Sequence, residues 1–439
     1  MESRHCCPGV LSSPLIFPTP VLRHMVQRRR IDHLCSVLPI ELSWNHGRLR
    51  SLAHAKDPQA WEEDAAMALI KAGFAAPATG QSDQVALPFV FVTAVNLELT
   101  YGCNLACMHC LQGAMRPKAS DVRWLSLDWI RPLLVEAEWL GLLSLGLNLT
   151  GGEVFAPQSP LLDVLADAQQ RGIRTRVNTN AWWGHGRQVQ IGGQLFERDV
   201  DVIKTLQAMG LGRLALSLDN RYVQYPDLLE KVVRVASLCE QIAQPYEFVI
   251  TSPDQAVWNQ VLVALHDAIG GSPQLLKLTP MDEVDLGSAA ARSTTPVDAL
   301  QIPGLIQASP CGGQGFHRPY YLHVSPEGGV RSCLYAPSGE WLGHLGRQSI
   351  CEILNAAATN PVCQLFEQEA YEAFVETWLQ PWQHLYQGLC HPCAASAVVA
   401  ILAGEILPLI DSCDDSISAQ TIEAIHQGLA DRLGLSGVK

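Results

Sequence analysis

The chain has 439 residues, of which 48% are hydrophobic and 17% are charged. This composition is typical of a globular protein with a large core, and it excludes a disordered or fibrous chain. The formal net charge of −13 disfavours general attraction to nucleic acid or to an anionic membrane surface, so we expect neither as a partner.

The N-terminal sequence and the 14 cysteines bear on the cellular compartment. Prolines interrupt the first apolar stretch, so a secretory signal is not expected. The late apolar run Ala394–Ala403 is followed by Glu405 and Pro408, and we do not expect it to span a bilayer. We therefore predict a cytoplasmic protein whose cysteines serve metal ligation or redox chemistry rather than disulfides.

Residues 1–88 are expected to form an N-terminal extension, with a helical pattern around Trp61–Ala72 and substrate recognition as a candidate role. From residue 89 the pattern alternates between β-type and helical segments. The predicted strands are FVFVTAVNLEL, LSLGLNLTGGE, IRTRVNTN, RLALSLDN, YEFVITSP and QLLKLTP. Helical segments of ten or more residues separate them, which predicts an α/β fold with parallel strands, and six such strands suggest a partial (β/α)6 barrel over residues 89–295.

Chemically distinctive residues follow the first four predicted strands. In parallel α/β folds, ligands bind at the carboxyl ends of the strands. We therefore expect one site at this edge, formed by Cys103, Gly151, Gly152, Glu153, Asn178, Asn180, Ser217 and Asp219.

Cys103, Cys107 and Cys110 form a C-x3-C-x2-C motif on the loop that leaves the first strand. Three thiolates can hold three irons of a cubane cluster and leave the fourth iron without a protein ligand. A structural zinc would need a fourth protein ligand, for which His109 is the nearest candidate. Buried cysteines without a metal are the remaining alternative, and three thiols in eight residues disfavour it.

These residues resemble the radical SAM superfamily, whose motif C-x3-C-x-aromatic-C follows the first strand of a partial (β/α)6 barrel. His109 occupies the aromatic position, and the segment Thr150–Glu153, TGGE, resembles the GGE motif that contacts the methionine amino group of S-adenosylmethionine (SAM). The resemblance implies a SAM-binding 4Fe-4S cluster that reductively cleaves SAM to a 5′-deoxyadenosyl radical. It also implies cofactor contacts from four strand-end residues, for which helix capping and loop hydrogen bonding are the alternative; they are Asn178, Asn180, Ser217 and Asp219.

A second set of cysteines follows the predicted barrel. The segment YYLHV-SPEGG-VRSCLY predicts a β-hairpin with Cys333 in its second arm. This region resembles the twitch extension, a shortened relative of the SPASM domain, which holds an auxiliary 4Fe-4S cluster. We assign that cluster to residues 296–395, and a four-cysteine zinc site is the alternative. The expected ligands are Cys311, Cys333, Cys390 and Cys393, with Cys351 or Cys363 as replacements for one of them, and residues 396–439 are expected to be helical.

The resemblance implies an oxidoreductase or maturase that abstracts a hydrogen atom from its substrate. Our first expectation is oxidative modification of a peptide side chain, with a reductant such as flavodoxin or ferredoxin as a partner. Dehydrogenation or rearrangement of a small molecule is the alternative, and a non-catalytic iron-sulfur electron carrier is the alternative of another class. The sequence does not identify the catalytic base, for which the candidates are Asp219, Glu247, Asp282 and Glu283.

Overall fold

The structure is a computed structural model of the full chain. It describes residues 42–45, 48–51, 92, 94–107, 109–113, 116–140, 142–143, 145–219, 226–251, 255–281, 321–335, 341–357, 360–367, 370–386, 389, 392–412, 417–433 and 435. The N-terminal extension is represented only by the antiparallel strands β1 (Leu42–Asn45) and β2 (Arg48–Ser51). The predicted helix around residue 61 lies outside the described residues.

A nine-stranded sheet forms the centre of the molecule. Six parallel strands occupy it in chain order: β3 (Ala94–Thr100), β4 (Gly146–Gly151), β5 (Thr175–Thr179), β8 (Arg213–Leu218), β9 (Tyr246–Ile250) and β10 (Leu276–Pro280). A short antiparallel hairpin, β6 (Val189–Ile191) and β7 (Gln194–Phe196), lies between β5 and β8 in the chain. The α/β fold with a large, mainly parallel sheet is confirmed.

Helices connect the parallel strands, as the alternating pattern predicts. They are α1 (Leu127–Leu140), α2 (Leu161–Gln170), α3 (Asp199–Ala208), α4 (Pro226–Ile242) and α5 (Gln255–Ile269). Their apolar residues form one buried cluster with alternate strand residues, such as Val95, Leu97 and Leu99 of β3. Because side chains alternate across a strand, the residues between them face the other way.

That opposite face of the sheet is polar. Across neighbouring strands His323, Asn96, Asn148 and Arg176 are paired in register. The strands therefore have one apolar face covered by helices and one polar face. The candidate site lies at the carboxyl ends of these strands.

Three late strands extend the same sheet beyond β3: β11 (Tyr321–Val324), β12 (Gly329–Arg331) and β13 (Gly343–His344). Strand β11 is antiparallel to β12, as the predicted hairpin requires, and it is also parallel to β3. The hairpin is thus continuous with the sheet of the parallel strands. Cys333 lies two residues beyond β12, so its expected position within the second arm was wrong, because the strand ends earlier than the pattern indicated.

The C-terminal region is helical and has an apolar cluster of its own. Its elements are α6 (Ile350–Ala357), α7 (Pro361–Glu367), α8 (Tyr371–Phe374), a π-helical turn (Val375–Leu379), a 3-10 segment (Gln380–Tyr386), α9 (Pro392–Ser412) and α10 (Ala419–Arg432). Helix α9 supplies a large share of this cluster, from Ala394 to Ile406.

Helix α9 continues beyond the apolar run Ala394–Ala403 and includes Glu405 and Pro408. Among the described residues it is the one helix long and apolar enough to cross a membrane, over Cys393–Ile410, and 67% of that window is buried inside the fold. Burial on this scale is typical of the core helix of a globular domain.

Candidate functional site

The three cysteines lie on one loop after β3 and line a single cavity of about 170 Å³ at the carboxyl ends of the parallel strands. Ten of the predicted site residues line this cavity: Cys103, Cys107, His109, Cys110, Gly151, Gly152, Asn178, Asn180, Ser217 and Asp219. Residues from the loop after β3 and from the ends of β4, β5 and β8 therefore meet, because parallel strands bring their carboxyl ends to the same edge.

Glycines at the end of β4 allow the base of the cysteine loop to approach closely. The Gly152 amide donates a hydrogen bond to the Thr100 carbonyl at 2.6 Å, and the Glu153 amide donates to the Gly102 carbonyl at 2.9 Å. A Cβ atom on Gly152 would lie 2.0 Å from the Gly102 carbonyl oxygen, which no side chain permits. Gly151 has φ +122°, a conformation that glycine adopts without strain. The two glycines thus allow the backbone at the end of β4 to pack closely against the base of the cysteine loop.

The carboxylate of Glu153 does not line the cavity. It is 3% exposed, and it accepts hydrogen bonds from the Phe155 amide, the Thr179 hydroxyl and the Asn180 amide, each at 2.9 Å. Burial raises the pKa of Glu153 to about 7, against the opposing effect of these hydrogen bonds. The Glu153 carboxylate therefore orients the end of β5, and the ligand contact implied by the resemblance stays a prediction.

Asn180 connects the end of β5 to the cysteine loop. Its side-chain amide donates to Asn104 Oδ1 at 2.9 Å and lies 3.8 Å from the Cys103 sulfur. Asn178, two residues earlier, donates to the Thr150 hydroxyl at 3.2 Å. Both asparagines line the same cavity as the thiols, and Asn180 lies beside Cys103.

His109 and Asp219 form a second connection between the loop and a strand end. His109 Nε2 lies 3.1 Å from Asp219 Oδ2, and the two side chains are 16% and 4% exposed. The histidine at the aromatic position of the motif thus contacts a carboxylate directly after β8, which holds the loop beside Cys110 against another wall of the cavity.

The thiols are in an environment that disfavours uncompensated thiolates. Burial raises the pKa of Cys103, and burial together with the nearby Asp219 carboxylate raises the pKa of Cys107 to about 11. A thiolate in this cavity therefore needs a cation to balance its charge, and metal ions supply such compensation when they bind cysteines.

The candidate metal ligands are three soft thiols on one short loop. Among the described residues, no group of three His, Cys, Asp or Glu side chains is arranged to hold one metal ion. A mononuclear zinc site needs four ligands converging on one point, whereas a cubane distributes its cysteines over different irons. Three soft thiolates on one loop are the ligands that such a cluster takes, and the cluster stays a prediction.

Below the cavity, the polar face of the sheet carries a hydrogen-bonded group centred on Arg176. Its guanidinium pairs with Glu247 and donates to Asn148 at 2.8 Å and to Asn178 at 2.5 Å. Burial alone would raise the pKa of Glu247, but Arg176 and the Thr279 hydroxyl hold it below its ordinary value. Since Asn178 also lines the cavity, this group forms a polar continuation of the site.

The second cysteine set is only partly described. Cys311 and Cys390 lie outside the described residues, as do the candidate bases Asp282 and Glu283. Cys333 packs against the C-terminal apolar cluster. Cys393 is buried near the start of α9, directly before the residues that α9 contributes to this cluster. The auxiliary cluster stays a prediction.

Sequence reasoning missed a buried polar network at the base of the cysteine loop. Glu98 of β3 pairs with Arg331 of β12, and it also accepts hydrogen bonds from Tyr101 and Gln112. The signal that pointed to it was a glutamate in the middle of a predicted strand, since buried carboxylates are rare unless paired. Its partner is 233 residues away and could not be found from local pattern.

No protein-family model matches this sequence, and no curated protein is significantly similar to it.

Proposed function

We propose that this chain is a radical SAM enzyme with a partial (β/α)6 barrel, and that Cys103, Cys107 and Cys110 hold a 4Fe-4S cluster with one iron left for SAM. The observation that carries this proposal is the convergence of the three thiols with the polar strand ends in a single cavity. The consecutive order of six parallel strands supports the partial barrel, because each crossover then places its helix on the same face.

When bound, the reduced cluster and SAM supply a 5′-deoxyadenosyl radical that takes a hydrogen atom from the substrate. The chain's own residues bind and orient the reactants. Asn178, Asn180 and Ser217 offer hydrogen bonds to the polar groups of SAM, and Gly151 and Gly152 leave backbone exposed at the cavity wall. Glu153 acts indirectly, because its carboxylate accepts a hydrogen bond from the backbone amide of Asn180 and holds that residue in place.

We propose a peptide side chain as the substrate, with a small sugar or cofactor precursor as the alternative. The sequence resemblance supports this choice. Arg176 and Glu247 are connected to the cavity through Asn178. They supply one positive and one negative side chain for a polar substrate. A short reading frame beside the gene would favour the peptide.

Anaerobic reconstitution with iron and sulfide tests the proposal. We expect about four irons per chain for the first cluster and about eight if the auxiliary cluster also forms. Reduction in the presence of SAM should release 5′-deoxyadenosine. Replacing Cys103, Cys107 and Cys110 together by alanine should abolish that release, whereas the control Cys239→Ala, a core thiol with no exposure, should retain it. Iron binding without SAM cleavage would favour the electron carrier, and a single zinc in place of iron would refute the proposal.

A further inference from the structure

Glu98 and Arg331 form an ion pair that is fully buried. Both side chains are 0% exposed, and Arg331 Nη2 donates to Glu98 Oε2 at 2.5 Å. The pair joins β3, which leads into the cysteine loop, to β12, which leads to Cys333. It therefore lies between the two cysteine-bearing segments.

The carboxylate of Glu98 holds both ends of the cysteine loop. The Tyr101 hydroxyl donates to Oε2 at 3.0 Å, and the Gln112 side-chain amide donates to Oε1 at 2.9 Å. Tyr101 precedes Cys103 by two residues, Gln112 follows Cys110 by two, and both line the cavity. One charged group thus contacts the loop where it begins and where it ends.

Stability alone is a poor explanation for this pair. Burying an ion pair costs desolvation that its attraction seldom repays, and apolar residues of similar size are often as stable. In addition, Nε and Nη1 of Arg331 are buried and have no hydrogen-bond partner within the described structure, which adds to the cost. A function that needs these charges accounts for the arrangement better.

Glu98 and Arg331 are the charges of this network. His323 is the cross-strand neighbour of Arg331, and burial together with Arg331 lowers its pKa, so the imidazole is neutral. In a buried environment of low dielectric constant, the two remaining charges act on the cavity with little screening.

We propose that Glu98 and Arg331 are positioning residues that hold the cysteine loop and set the reduction potential of the iron-sulfur centre on it. The negative end of the pair contacts the loop through Tyr101 and Gln112, and the positive end lies behind it on the hairpin. The carboxylate disfavours the added electron and lowers the potential, while the guanidinium opposes this effect. The inference rests on the proposed function of the cysteine loop.

The test is an EPR-monitored redox titration of the reconstituted full chain, following the signal that responds to SAM. Glu98→Gln keeps an oxygen acceptor for the loop while it removes the charge, and we expect a more positive potential. Adding Arg331→Met to Glu98→Gln removes the cation without leaving a buried carboxylate unpaired, so the potential should move back toward that of the unmodified chain. Arg331→Lys retains the charge and should change the potential least.

The matched control is Asp199→Asn. Asp199 is also fully buried and pairs with an arginine, Arg234, but it contacts the Gly186 amide rather than the cysteine loop. We expect no shift. The inference is refuted if the control shifts the potential as much as Glu98→Gln does, or if Glu98→Gln leaves the potential unchanged. It is also refuted if Glu98→Gln abolishes the centre and Arg331→Lys shifts the potential. A potential in the double variant that is more positive than in Glu98→Gln alone refutes it as well.

The proposed function fails separately. An unmodified chain that binds no iron at Cys103, Cys107 and Cys110 refutes both statements. A chain that binds iron and cleaves SAM, but whose potential ignores Glu98 and Arg331, refutes the inference alone.

Discussion

Replacing Glu153 by glutamine should change how the stability of the iron-free protein depends on pH. Burial raises the pKa of this carboxyl from 4.5 to about 7 in the folded protein. At about 1.4 kcal/mol for each pH unit, the folded protein loses about 3 kcal/mol of stability when Glu153 ionises. This contribution is complete below the unfolded pKa and is lost as the pH rises through the folded one.

The loss is confined to a defined pH window. Between pH 5 and pH 8, Glu153 alone should lower the free energy of unfolding by about 2.5 kcal/mol, because the folded protein binds the additional proton in this range. Glutamine has no such proton, so Glu153→Gln removes this part of the slope. The amide also replaces one acceptor of the Phe155, Thr179 and Asn180 hydrogen bonds, which adds a penalty that does not vary with pH.

Urea unfolding of the metal-free protein and of Glu153→Gln, measured from pH 5 to pH 8, gives the comparison directly. The free energy of unfolding of Glu153→Gln, relative to that of the unmodified protein, should increase by about 2.5 kcal/mol as the pH rises from 5 to 8. Glu138→Gln, a partly exposed glutamate paired with Arg171, should run parallel to the unmodified protein. If Glu153→Gln also runs parallel, the carboxylate is not destabilised by burial, and its three hydrogen bonds fully compensate for desolvation.

Three further substitutions probe separate parts of the fold. Gly152→Ala places a Cβ atom 2.0 Å from a carbonyl oxygen and should cost about 2 kcal/mol or more and weaken iron retention, whereas Gly271→Ala, with no atom within 4 Å, should do neither. Glu247→Gln removes a carboxylate whose pKa is lowered in the fold, so urea unfolding should show a loss of about 2 kcal/mol at pH 7 that vanishes on acidification through the folded pKa. Tyr386→Phe deletes the hydroxyl 2.7 Å from the buried Nδ1 of His426 and should lower stability by about 1–3 kcal/mol without changing the iron content.

The parallel strands could be predicted from sequence because each is a short β-type segment that alternates with a helical segment. The alternation with helices predicts that the strands are parallel, and the position of the site follows from the carboxyl ends of the strands. All six predicted strands are present, with ends that differ by a few residues. Local pattern, burial and topology point to the same answer here, so little long-range information was needed.

The parts that sequence reasoning missed depend on contacts between distant segments. Nothing in the hairpin sequence indicates that β11 lies parallel to β3. The direction of Glu153 is set by donors on β5 rather than by the glycines beside it. Helix α9 continues through Pro408 although proline usually breaks a helix, because the helix lies within an apolar cluster whose burial offsets the lost hydrogen bond.

Three sets of groups hold the cysteine loop without depending on a bound metal. The backbone amides of Gly152 and Glu153, directly after β4, hold its base; Glu98 contacts both of its ends; and Asp219 contacts His109 beside Cys110. A loop fixed in this way brings its thiols to one cavity before any metal arrives, so less conformational entropy is lost when a cluster binds. Under the proposed function, the same fixation accounts for the buried glutamate and the two glycines, which are costly or restrictive as features of a fold alone and become useful when the thiols must be held in place.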